Sequence, residues 1–129
     1  MGIEAVAMAT AALIAQGFLS EAGRATWDGM GRMMEVVRSK FSRNQEAQAA
    51  LVAVERGPGD SDAQRLLAAQ IMAESSEDLS FRTRLETLVN EAQENPSMAP
   101  IVARIVNDYR GANIGKLVNI DTVNGDLNF

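Results

Sequence analysis

With 129 residues, 47% of them apolar, the chain has enough material for one domain with a modest core. It contains neither cysteine nor histidine, which excludes disulfides, thiol nucleophiles, Cys/His zinc sites and imidazole catalysis. Met1–Gly57 holds six basic and six acidic residues and Pro58–Phe129 six and eleven, so the whole net charge of −5 lies in the second stretch and argues against nucleic-acid phosphates as a partner.

The apolar residues are mainly Ala, Leu, Val and Met, and only 5% of the chain is aromatic. That mixture favours helices over β-sandwiches. Ile3 to Leu19 carries one ionised residue, Glu4, and reads as a helix apolar nearly all round. Ile3, Val6, Leu13, Ile14 and Gly17 share one face, yet most other positions are Ala or Met. Such a helix must be buried in protein or in lipid. Its seventeen residues stand at the short edge of a bilayer span, where roughly twenty are usual. Conditional membrane contact is therefore expected in preference to constitutive insertion. The first basic residue is Arg24, so no signal-peptide n-region precedes this helix, and the chain reads as cytoplasmic at synthesis.

Ser20-Glu21-Ala22-Gly23 breaks the pattern. Trp27, Met30, Met34, Val37 and Phe41 then follow helical spacing. Gly23, Gly29 and Gly31 weaken this second helix; they either offer the first one a close approach or make the pair easy to rearrange. Arg32, Arg38, Lys40 and Arg43, opposed by Glu35, form a basic run. It reads as a solvated face, with anionic lipid heads as the alternative. A helix over Gln45–Arg56 contributes Leu51, Val52 and Val54. Gly57-Pro58-Gly59-Asp60 breaks the chain, and Ser61-x-x-Gln64 has the form of a capping box opening a helix that buries Leu66, Leu67 and Ile71. After a polar junction at residues 75–78, the next helix uses Phe81, Leu85, Leu88, Val89 and Ala92 and ends at Asn95-Pro96. Pro100 opens a last one with Val102, Ile105, Val106 and Tyr109 on one side.

Helical periodicity ends at Gly111. Residues 111–129 contain four asparagines and three glycines, and Val118-Asn119-Ile120-Asp121 recurs as Val123-Asn124-Gly125-Asp126. Val118 and Ile120 share a strand face, whereas Val123, Leu127 and Phe129 have the opposite parity. One straight strand cannot serve both sets, so an arch or tight hairpin is expected. Short β-branched, asparagine-rich, proline-free segments stack into cross-β zippers, with Asp121 and Asp126 required to face solvent. A hairpin on the bundle or an unstructured end is the alternative reading. Gly111 to Lys116 is one residue short of a phosphate loop, and Leu117 replaces the Ser or Thr that would meet magnesium. No carboxylate pair has the spacing of an acid and base or of a calcium loop. The expectation is a non-enzyme with no cofactor and no metal.

An all-α helical bundle with an apolar N-terminal helix and a short C-terminal β-forming, amyloid-like tail resembles the bacterial Bell-domain proteins. These are counterparts of fungal HeLo-type cell-death effectors. The terminal Val-Asn-x-Asp and Val-Asn-Gly-Asp units carry the distinctive part of the resemblance; the bundle matches in general pattern. The resemblance implies a Bell-like domain over residues 1–110 and an amyloid signalling motif over 111–129. It implies activation by an NLR-like sensor presenting a matching motif, with fibril-like self-assembly through Val118, Asn119, Ile120, Val123, Asn124, Gly125, Leu127 and Phe129. Concentrating the helical domains would release the first helix into the inner membrane. Ile3, Val6, Leu13, Ile14, Phe18 and Leu19 would carry membrane contact. A different class of function is a non-lytic helical adaptor whose tail adds a strand to a partner's sheet edge.

Overall fold

The computed structural model of the chain describes residues 2–19 and 27–107, and these are helical throughout, without a strand. The helices are α1 (Ile3–Leu19), α2 (Gly29–Phe41), α3 (Gln45–Arg56), α4 (Ser61–Glu77) and α5 (Leu79–Gln93), followed by α6, described over residues 99–107. The chain is an all-helical bundle across this range. The β-forming tail, the assembly residues named for it, the 20–23 junction and Tyr109 lie outside the described residues.

α1 has the bounds its composition predicts, and it sits at the centre. It packs most extensively on α4 and also touches α2, α3 and α5. Six of its alanines (Ala5, Ala7, Ala9, Ala11, Ala12 and Ala15) are buried with Val6, Leu13 and Ile14. Small side chains all round let four helices approach one axis closely, which larger residues at those positions would prevent. Gly17 brings α1 against α2: a Cβ there would stand 2.8 Å from Met30 Sδ.

Of the glycines expected to offer that approach, Gly29 and Gly31 do not serve it, and Gly23 lies outside the described residues. Gly31 faces open space, and a side chain at Gly29 would run into the Trp27 ring, which folds over it. The α2 stripe is also turned by one position. Met33 is fully buried along with Trp27, Met30, Val37 and Phe41, whereas Met34 is half-buried at the edge of the core.

Side-chain caps fix the corners. Asn44 Oδ1 accepts from the Ala47 amide at 3.1 Å to start α3, and Gln48 Nε2 donates back to the Phe41 carbonyl at 2.8 Å. α4 is capped by Asp60, whose carboxylate accepts from the Asp62 and Ala63 amides. The expected capping box is thereby corrected: Ser61 is the first helical residue, and Gln64 Nε2 donates to the Pro58 carbonyl at 2.8 Å instead. Asp78 alone separates α4 from α5 and caps the latter through the Phe81 amide at 3.1 Å. Asn95 Oδ1 accepts from the Ser97 and Met98 amides and turns the chain into α6.

Phe81, Leu85, Leu88, Val89 and Ala92 of α5 are buried as their periodicity predicts, as are Val102 and Ile105 of α6; Val106 is half-buried. Two assignments fail. Val52 is 40% exposed and Leu66 60% exposed. The buried apolar stripe of α4 is Ala63, Leu67, Ala68 and Ile71, in which alanine counts as core in a helix that packs chiefly on the alanine-rich α1.

Candidate functional site

The six residues expected to contact membrane fall in three environments. Val6, Leu13 and Ile14 are buried in the core, Ile3 and Phe18 are half-buried, and Leu19 at the end of α1 is 59% exposed. In this conformation α1 presents no continuous apolar face to solvent. Any contact between Val6, Leu13 or Ile14 and lipid requires the helix to leave the bundle.

What holds residues 3–16 of α1 in place among the described residues is packing. Thr10 is the one polar residue of α1 that is buried, and its hydroxyl donates to the Val6 carbonyl of the same helix at 2.8 Å. No side chain of residues 3–16 forms an ion pair or hydrogen bond to another helix among the described residues. The other helices are tied together differently. Arg32 Nη2 of α2 meets Glu91 Oε1 of α5 at 2.7 Å. Lys40 Nζ of α2 reaches Asp78 Oδ2 at 2.6 Å and Glu74 Oε1 of α4 at 3.9 Å, and it lies 5.9 Å from the centre of the Phe81 ring. Asn44 Nδ2 donates to Glu74 Oε2 at 2.9 Å. The result is a polar frame linking α2, the α2–α3 corner, α4 and α5, in which residues 3–16 of α1 take no part among the described residues.

The frame is electrostatically consistent. The Asp78 hydrogen bond raises the Lys40 ammonium above its ordinary value, opposed by partial desolvation and assisted by the Asp78, Glu74 and Glu77 charges. The Lys40 hydrogen bond, followed by that from the Phe81 amide, holds the Asp78 carboxyl below the usual carboxylate range.

Magnitudes separate the two kinds of attachment. Exposed ion pairs contribute about 0–1 kcal/mol each. Burying Val6, Leu13 and Ile14 contributes roughly 1.5–3 kcal/mol apiece before the alanines are counted. Withdrawing α1 into water therefore costs on the order of 10 kcal/mol, and about one molecule in 10⁷ would do so unaided. An apolar medium reverses most of that cost for α1 itself, because nearly every side chain of the helix is apolar and its backbone and Thr10 are satisfied internally.

At 17 residues α1 is about 25 Å long, against roughly 30 Å of bilayer hydrocarbon. Among the described residues no helix is long and apolar enough to cross a membrane. Nor is any group of three or more His, Cys, Asp or Glu placed to hold a metal ion among them. Glu74 and Asp78, which face one cleft, both engage Lys40.

Sequence reading missed the frame because its partners lie 59, 38 and 30 residues apart. Its visible traces were the polar junction at residues 75–78 and the basic run that holds Arg32 and Lys40, read as a solvated face. The comparisons add no relative: no family model, curated protein or solved structure matches the chain.

Proposed function

We propose that the chain is a membrane-permeabilising cell-death effector, switched on when the 111–129 motif is templated into an amyloid-like assembly by a matching motif on an NLR-like sensor. The observation that supports this most is α1: a helix apolar almost all round at the bundle centre, whose residues 3–16 are held by packing alone among the described residues. Its residues 3–16 can leave without stranding a charge or an interhelical hydrogen bond. Stacking of the tails raises the local concentration of the bundles, so that released α1 helices meet one another and the lipid together. Because a single α1 falls short of the hydrocarbon thickness, it disrupts the inner membrane as a thinned or coated patch of many copies. The protein works without a cofactor and is not an enzyme on this reading.

The central position of α1 favours a second reading. A helix that touches four others is a poor candidate for repeated extraction, and a non-lytic adaptor would leave it in place while the tail docks by β-augmentation. Dye-loaded vesicles separate the two. The intact chain is expected to form fibrils with a cross-β spacing of about 4.7 Å and to release dye once assembled. Deletion of residues 117–129 should abolish both. Fibrils without leakage establish the adaptor, and leakage unchanged by the deletion removes the tail as the switch.

A further inference from the structure

A cleft of about 550 Å³ opens where the C-terminal end of α2 meets the start of α5. Two carboxylates line it, and both are committed. Asp78 gives Oδ2 to Lys40 and Oδ1 to the Phe81 amide, while Glu74 accepts from Asn44 and faces Lys40. Two arginines also line it, Arg43 and Arg84, and neither pairs with a carboxylate among the described residues. The hydroxyls of Ser39, Ser42 and Ser80 are in the same wall, likewise without a side-chain partner among the described residues. The cleft lining holds three cations, Lys40, Arg43 and Arg84, against the two carboxylates, so in a chain of net charge −5 this concave site is locally positive by one, with three hydroxyl donors beside the charges.

We propose that this cleft binds a phosphomonoester, gripped between the Arg43 and Arg84 guanidiniums. A phosphomonoester carries about −1.5 to −2 charge near neutral pH, is drawn to a positive cleft, and has three free oxygens that suit planar guanidinium forks better than a carboxylate would. The serine hydroxyls complete its hydrogen bonds. The same group is offered by a lipid headgroup or by free phosphate, and no residue of α1 lines the site. It therefore stands or falls independently of permeabilisation.

The test uses the full chain with two probes: inorganic phosphate followed by calorimetry, and vesicles of phosphatidylcholine with or without phosphatidic acid followed by co-sedimentation. At least one probe should bind. The double variant Arg43→Gln/Arg84→Gln should weaken that binding about tenfold or more, since charge-assisted hydrogen bonds are lost at both arginines. Both arginines are exposed, so helical circular dichroism and Trp27 emission should stay unchanged. Arg56→Gln/Arg104→Gln removes the same charge from exposed positions outside the cleft and should leave binding intact. Binding of phosphate in solution identifies a soluble ligand, whereas binding confined to phosphatidic acid vesicles identifies a headgroup. Equal weakening by the two double variants, or no binding of either probe by the native chain, overturns the proposal.

Discussion

A hydroxyl buried in the middle of an apolar helix ordinarily ties that helix to a neighbour. Thr10 does not, because its back-bond to the Val6 carbonyl satisfies it wherever α1 goes. Asp60 illustrates the opposite case, in which one side chain fixes an element's start by taking two amides that the helix cannot satisfy itself. Asp60→Ala is expected to cost about 0.5–2 kcal/mol in urea unfolding, followed through the single tryptophan. Ser61→Ala should cost much less. The reverse order would return the cap to Ser61 and the box motif. Sequence pattern placed the cap within one residue but chose the wrong side chain, since both Asp and Ser are good caps and only the backbone decides which stands outside the helix.

At the scale of elements, α1 and α4 form the largest helix pair, and it is built on small residues. Leu13 is fully buried in this region. Leu13→Ala should destabilise the bundle by about 2–5 kcal/mol through lost transfer energy and a residual cavity. Leu66→Ala, on the exposed side of α4, should stay within about 0.5 kcal/mol. A comparable loss from both would mean that Leu66 is covered in solution, and the stripe assigned to α4 would need redrawing. The helices themselves were legible, because apolar spacing and breakers such as Gly57-Pro58-Gly59 are local. Which side of α4 faces inward was not. Large residues were counted as core, and an interface lined by alanine is invisible to that rule.

At the scale of the molecule, the frame around Lys40 should give stability a defined pH window. Asp78 has a depressed folded-state pKa, so its contribution is present above the ordinary carboxylate value, about 3.9, and is lost as pH falls through the depressed one. Lys40 has a raised pKa, so its contribution is complete below about 10.4 and is lost as pH rises through the raised value. Their combined effect is flat between about pH 5 and 9 and declines outside that range. Asp78→Asn keeps a capping side chain but removes the charge. Urea midpoints measured across acid pH should fall less steeply for that variant than for the native chain, and superimposable profiles would show that the pair contributes nothing.

Sequence alone determined that the described residues are helical, where α1 begins and ends, and that α1 is too apolar to lie on the surface of the bundle. Each of these follows from propensity and from the spacing of residues a few positions apart. Only the tertiary structure decided that α1 runs through the centre, that its residues 3–16 are held by packing among the described residues, and that Lys40, Glu74 and Asp78 meet in one cluster. Arg43 and Arg84, 41 positions apart in sequence, are brought to one cleft in the same way. Those outcomes depend on which surfaces meet after the chain has turned several times, and a meeting between residues dozens of positions apart leaves no period in the sequence to read.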